Sequence, residues 1–156
     1  MNHISRHSDG SRLESRQRTR VVVFDPDEIA ARSLARTLVS IVSRTYWTTS
    51  FTQAKQLIIE KGCNVLVANC QTDEATGIKV LSDFHEDVPD VAIVAMSRLP
   101  AEEPEARAAG ACAFLHKPVR TSELTETING IRKARREEAK ASGHGLLNST
   151  HRRLGN

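Results

Sequence analysis

The strongest constraint on the fold is a regular alternation of short apolar segments with longer segments of helical periodicity. The apolar segments read as buried strands, and they are Val21–Phe24, Thr45–Thr49, Val65–Ala68, Val91–Met96 and Ala111–Leu115. Strands that alternate with helices pair in parallel, because each helix carries the chain back to the same end of the sheet. The sequence therefore predicts an α/β fold in which helices cover both faces of one five-stranded parallel sheet.

The segments between and after the strands predict five helices, over about 27–41, 50–62, 77–85, 100–110 and 122–140. In the first of them the apolar positions recur at helical spacing, and we expect them to face the core: Ile29, Ala30, Leu34, Leu38 and Ile41. Short strand-helix units of this number favour a flavodoxin-like three-layer sandwich with strand order 2-1-3-4-5. In that order the ligand crevice lies between the first and third strands, at the carboxyl edge of the sheet.

Composition and charge suggest one domain between two basic tails. Apolar residues make up 39% and charged residues 26% of the 156 residues, as in a globular protein. Residues 1–19 and 139–156 are polar and basic, and we expect them to be disordered around a domain at 20–138. No apolar run approaches the ~20 residues that cross a bilayer, no signal peptide precedes the domain, and the three cysteines read as reduced thiols. A cytoplasmic location is therefore expected.

Polar side chains follow four of the five predicted strands. Asp25 and Asp27 come after the first strand, Asn69 ends the third, Ser97 follows the fourth and Lys117 follows the fifth. Because the carboxyl ends of parallel strands meet at one edge of the sheet, these side chains should converge on one crevice.

This set of residues resembles the receiver domain of two-component response regulators, over about residues 20–138. The resemblance places Asn69 where the family has the aspartate that accepts a phosphoryl group, and Gly77 follows at the family's spacing. An amide lacks the nucleophilic carboxylate that an acyl phosphate needs. The resemblance also implies Mg²⁺ bound by Asp25 and Asp27, but Pro26 stands where a second acid is usual, so only weak or no binding is expected. Asp27 alternatively serves as a helix cap.

The other matching positions carry the switch of the family. The resemblance implies that Ser97 is the switch hydroxyl and that Lys117 pairs with the phosphoryl group. It also implies that Pro118 follows a cis bond and that Phe114 is a switch aromatic, although Phe114 equally suits the core. Because a buried ammonium without a partner is costly, we expect Lys117 to contact Asp25 or Asn69.

The resemblance implies a single-domain, atypical response regulator, a pseudo-receiver that acts in phosphorelay signalling as a protein-interaction module and is not an enzyme. A histidine kinase or a separate output protein would bind the face formed by the fourth helix, fifth strand and fifth helix. No nucleic-acid or membrane partner of the domain is expected. Two alternatives remain: phosphorylation of another carboxylate, with Asp25 as the candidate, and binding of nucleic acid or an anionic surface through the Arg-rich tails.

Overall fold

The computed structural model describes residues 18–70 and 77–151, with side chains described as far as residue 143. Five parallel strands form one sheet in the order β2-β1-β3-β4-β5, which confirms the predicted topology. The strands are β1 (Arg20–Phe24), β2 (Arg44–Thr48), β3 (Val65–Asn69), β4 (Ala92–Ser97) and β5 (Ala111–His116). The order reverses between β1 and β3, so a crevice opens beyond the carboxyl ends of these two strands.

The central strands form the core of the domain. In β3 every residue from Val65 to Asn69 is buried, because helices cover both of its faces and strands flank both of its edges. The edge strand β2 is more exposed, and 42% of Trp47 is accessible to solvent. A sheet built this way buries its apolar residues as continuous runs, which is the pattern that identified the strands in the sequence.

Five helices connect or follow the strands: α1 (Glu28–Leu38), α2 (Phe51–Lys61), α3 (Gly77–Asp87), α4 (Glu103–Ala108) and α5 (Thr121–His151). A 3-10 turn at Pro100–Glu102 precedes α4. The predicted ends of α2 are confirmed, since the hydroxyl of Ser50 accepts from the Gln53 N–H and Gly62 adopts the left-handed conformation at the other end.

The first helix differs from the prediction in its length and its buried face. It has 11 residues, and Ala31, Ala35 and Leu38 are its buried positions, so Leu38 was assigned correctly. The assignment of Ile29 to the core was wrong, because 80% of this residue is exposed. The small side chains of Ala31 and Ala35 allow the helix to approach the sheet closely, while the larger Ile29 points outward.

Residues 18–127 form one compact unit, and the segment from Ile128 onward belongs to a second unit. In that segment α5 continues to His151, past residue 138, where the sequence placed the end of the domain. Residues 132–142 consist mainly of Arg, Lys, Glu and Ala, which favour helix even without burial. Of the two expected disordered tails, residues 1–17 and 152–156 lie outside the described residues.

Within the part of the chain that the structure describes, no helix combines the length and the apolar character needed to cross a membrane.

Candidate functional site

The polar residues predicted at the strand ends meet in one cleft at the carboxyl edge of the sheet. The cleft has a volume of about 260 Å³ and is lined by Asp25, Pro26, Asp27, Ala30, Asn69, Arg98 and Lys117. Of the predicted site residues, Ser97 is fully buried at the end of β4 and Phe114 lies in the core on β5. The strands thus bring the acids, the amide and the ammonium together, as their positions in the sequence indicated.

Asp25 is the centre of the hydrogen bonding in this cleft. Its carboxylate is almost fully buried, and its Oδ2 atom lies 2.5 Å from the Nζ atom of Lys117. Its Oδ1 atom accepts the backbone N–H of Asp27 at 2.9 Å and the side-chain amide of Asn69 at 3.4 Å. The expected pairing of Lys117 with Asp25 is therefore confirmed, and both carboxylate oxygens already have donors.

Asn69 is the last residue of β3, and only 7% of it is exposed. Its Nδ2 atom faces Asp25, as a donor should face an acceptor carboxylate. The amide is neutral and cannot attack phosphorus to give an acyl phosphate. The end of β3 therefore places a neutral hydrogen-bonding group in the cleft and no nucleophilic carboxylate.

Gly77 is held against the backbone at the same end of β3. A Cβ atom on Gly77 would lie 1.8 Å from the carbonyl oxygen of Cys70, which is far inside van der Waals contact. Position 77 therefore requires glycine in this chain, because a side chain would not permit this approach.

The donor set around Asp25 does not fit a magnesium ion. Mg²⁺ requires oxygen ligands in octahedral geometry, and it binds proteins mainly through carboxylates. The Oδ1 atom of Asp27 caps α1 by accepting from the N–H groups of Ile29 and Ala30, at 2.9 and 3.4 Å. Pro26 supplies no carboxylate, and the Lys117 ammonium neutralises Asp25. Asp27 thus caps α1 with one of its oxygens, and a positive charge lies next to the Asp25 carboxylate.

Ser97 is bonded to an acid that the sequence analysis did not identify. Its hydroxyl donates to the Oε2 atom of Glu102 at 2.6 Å and accepts the N–H of Leu99 at 3.0 Å. Its backbone carbonyl accepts the N–H of Lys117 at 2.9 Å, which joins β4 to β5 beside the cleft. Glu102 gave no signal in the sequence beyond being an acid near the start of a helix.

Lys117 and Pro118 connect the cleft to a second, mostly apolar groove. The peptide bond between them is cis, which confirms the expectation for Pro118. The groove has a volume of about 410 Å³ and is lined by Ala30, Ser33, Leu34, Arg98, Lys117, Pro118 and Val119. Phe114 does not line either space; its ring packs edge-on against His116 with 5.2 Å between the ring centroids. The core position of Phe114 is therefore the one observed.

The thiol of Cys70, directly after Asn69, is buried in the hydrophobic core and lines neither the cleft nor the groove. Burial raises its pKa to about 11, and the nearby Glu102 carboxylate contributes in the same direction. Cys70 is therefore a protonated thiol at neutral pH and a poor nucleophile.

Comparison with known proteins agrees with this geometry. Residues 21–129 match the response regulator receiver domain family. None of the curated proteins matches the chain in sequence at a significant level.

Solved receiver domains share the fold at low identity. A CheY-like receiver domain protein of Methanospirillum hungatei JF-1 superposes with a TM-score of 0.70 at 18% identity, covering 77% of this chain and 98% of that one. The signal receiver domain of an HD domain-containing protein of Pseudomonas fluorescens Pf-5 gives 0.68 at 18% identity, covering 80% and 93%. The receiver domain of Francisella response regulator 1452 gives 0.65 at 22% identity, covering 74% and 98%. At these identities the structures establish the fold alone.

Proposed function

Because the chain belongs to the response regulator receiver domain family, we propose that it works in two-component signalling as an atypical receiver, a protein-interaction module without phosphoacceptor chemistry. Membership of the family implies protein partners, such as a kinase or an output domain. The observation that carries the proposal is the group at the end of β3, the buried amide of Asn69. This amide donates a hydrogen bond to Asp25, whose charge Lys117 already neutralises.

The chemistry of the cleft supports the loss of phosphorylation. An acyl phosphate forms only on a carboxylate, and Asn69 has none to offer. Among the residues that the structure describes, Asp25 is the one buried acid beside it, but both of its oxygens accept hydrogen bonds and one is held by Lys117. Attack by Asp25 would require breaking a nearly buried ion pair, which is costly. We therefore also propose that the protein is not an enzyme.

The remaining function of the module is recognition, and we propose the face formed by α4, β5 and the start of α5 as its binding surface. The edge of the sheet at β5 supports this choice, because β5 pairs with β4 on one side only. Cys112 and His116 are exposed along this strand. The proposed partner is a histidine kinase or a separate output protein.

Intact mass spectrometry after incubation with acetyl phosphate and Mg²⁺ tests the loss of phosphorylation. The native protein is expected to keep its mass, and Asn69→Asp provides the matched variant that restores only the acceptor. A hydroxylamine-sensitive gain of one phosphoryl group on the native chain would overturn the proposal. If that gain disappears in Asp25→Asn, the acceptor is Asp25 and the alternative of a non-standard carboxylate is correct.

Photo-cross-linking tests the binding surface. A benzophenone maleimide on Cys112 would report partners at β5, since Cys63 and Cys70 are buried. The matched control carries the same label at Ile59→Cys in a Cys112→Ser background, because Ile59 is 66% exposed on α2, which packs against β1 and β2. We expect a partner to be cross-linked from position 112 and not from position 59. Equal cross-linking from both positions, or cross-linking from 59 alone, would exclude the proposed face.

A further inference from the structure

The hydroxyl of Ser97 has a single proton, and the structure shows where that proton goes. A serine hydroxyl is one donor with two acceptor lone pairs. Here the donor is directed to the Glu102 carboxylate at 2.6 Å, and one lone pair accepts the N–H of Leu99 at 3.0 Å. Ser97 itself is 0% exposed. Its hydroxyl therefore has no proton left to donate to an oxygen atom in the crevice.

The segment from Ser97 to Glu102 closes on itself through three hydrogen bonds. Besides the two bonds to the Ser97 hydroxyl, the N–H of Glu102 donates to the carbonyl of Leu99 at 3.1 Å. Pro100 begins the 3-10 turn inside this segment, and α4 follows directly at Glu103. The end of β4 is thus tied to the start of α4 by one side-chain pair, Ser97 and Glu102.

The bond between these two side chains belongs to the strong class. A hydroxyl that donates to an ionised carboxylate forms a shorter and stronger hydrogen bond than one between neutral groups. The Glu102 side chain is only partly exposed, so water competes with it less than with a fully solvated acid. The same carboxylate raises the pKa of Cys70, the residue after Asn69, so its negative charge lies near the end of β3.

We propose that Glu102 takes the place of a phosphoryl oxygen as the acceptor of the Ser97 hydroxyl, so that this pair is a built-in latch holding the β4–α4 connection in one conformation. Two carboxylates of the chain then make the contacts that the phosphoryl group would make in a phosphorylated receiver. Asp25 forms the ion pair with Lys117, and Glu102 accepts the hydrogen bond from Ser97. The inference rests on the proposed function in one respect: without phosphorylation, no phosphoryl oxygen competes with Glu102 for the Ser97 hydroxyl.

Hydrogen exchange of single backbone amides, followed by NMR, tests the latch. In Glu102→Ala the backbone amides of Leu99 and of position 102 are expected to exchange faster by on the order of tenfold, as the loss of one charge-assisted bond predicts. Ser97→Ala removes both the donor to Glu102 and the acceptor of the Leu99 N–H, so it should accelerate exchange at Leu99 at least as much. Glu102→Gln keeps an acceptor without the charge and should fall between these variants and the native protein.

Two controls separate the latch from general destabilisation. Glu105→Ala removes an exposed acid two residues into α4 and should leave exchange at Leu99 unchanged. Exchange of the buried β1 amides, such as that of Val22, reports global unfolding; Ile58→Val, which shortens a buried side chain on α2, should accelerate exchange at Val22 and leave exchange at Leu99 unchanged. Native exchange at Leu99 in Glu102→Ala, or acceleration of Leu99 exchange by Ile58→Val as large as that by Glu102→Ala, would overturn the latch.

The same samples distinguish this inference from the proposed function. Acetyl phosphate is added to the native protein, and both its mass and the Leu99 exchange are measured. If the mass increases while Glu102→Ala still accelerates exchange at Leu99, the loss of phosphorylation is refuted and the latch is supported. An unchanged mass together with exchange that is insensitive to Glu102 would refute the latch alone.

Discussion

The ammonium of Lys117 and the carboxylate of Asp25 form an ion pair at 2.5 Å across 92 positions of the chain. Only 15% of the lysine side chain and 2% of the aspartate side chain are exposed. A second pair, Lys55 with Asp87, has the same N–O distance on the surface, where 41% and 53% of the side chains are exposed. The two pairs share one N–O distance but differ in burial and in the further hydrogen bonds of Asp25, so their comparison measures what the buried setting contributes.

Lys117→Ala is expected to lower the free energy of unfolding by about 1–3 kcal/mol, because it leaves the buried Asp25 carboxylate without its charged partner. Chemical denaturation of the variant and the native protein gives this difference. Lys55→Ala is the matched control and should cost less than about 1 kcal/mol. Equal losses in the two variants would show that burial does not strengthen the Lys117 pair.

A double variant identifies the cause of the loss. Asp25→Asn combined with Lys117→Met removes both charges and leaves no uncompensated ion. The double variant should lose less free energy of unfolding than Asp25→Asn and Lys117→Met lose together. The expected difference is about 0.5–3 kcal/mol, the range for residues in direct contact. Additive losses would mean that the two side chains act independently.

Millimolar Mg²⁺ is expected to shift the Tm of the native protein by about 1 °C or less, because a ligand below its Kd adds only a few tenths of a kcal/mol. The Asp27 cap and the Lys117 pair on Asp25 are the reasons for weak binding. Differential scanning fluorimetry with Mg²⁺ measures the shift. Pro26→Asp with Asn69→Asp adds two carboxylates to the cleft and should restore a rise of several degrees; such a rise in the native protein would show a competent metal site.

Gly77→Ala should destabilise the domain by about 1–3 kcal/mol, since its Cβ would overlap the Cys70 carbonyl and force the backbone apart. Gly130→Ala is the control, because a Cβ there meets nothing within 4 Å inside α5. That change should stabilise the helix by about 0.5–1 kcal/mol. Thermal unfolding of both variants checks the opposite signs, and an unaffected Gly77→Ala would contradict the close approach.

The buried thiols should make stability fall at alkaline pH. Burial raises the pKa of Cys63 and of Cys70 from the ordinary value of 9.0 to about 11, so the fold favours the protonated thiols. Their contribution is fully present below pH 9.0 and is lost as the pH rises through about 11.

Urea unfolding at about pH 8 and about pH 11 measures this loss, which Cys63→Ala with Cys70→Ala should reduce. Alkylation near neutral pH should modify Cys112, which is exposed, and spare the two buried thiols. Fast alkylation of Cys70 in the folded protein would contradict the raised pKa.

Much of the fold could be predicted from residues whose local chemistry has one structural outcome. Gly62 ends α2 because it alone tolerates the left-handed conformation, and Ser50 begins that helix because its hydroxyl accepts a free N–H. The pairing of Lys117 with Asp25 followed from electrostatics, since a nearly buried ammonium needs a counter-charge and the strand order brings the two ends together.

Other features depend on three-dimensional packing that local sequence does not encode. Glu102 reads as an ordinary acid at a helix start, and only the geometry of the 3-10 turn brings it to the Ser97 hydroxyl. The inner face of α1 was misjudged at Ile29, because the close fit of Ala31 and Ala35 to the sheet decided its orientation. Helix α5 continued past residue 138 because helix propensity alone supports it there.

The Ser97–Glu102 bond also bears on how a cell would control this protein. A domain that covalent modification can convert carries information in the fraction of its molecules that are converted. When side chains of the protein itself hold the groups that would sense the modification, every molecule folds into the same conformation. We expect its signal to lie in its abundance, so that synthesis and degradation set how much of a partner is bound, by mass action.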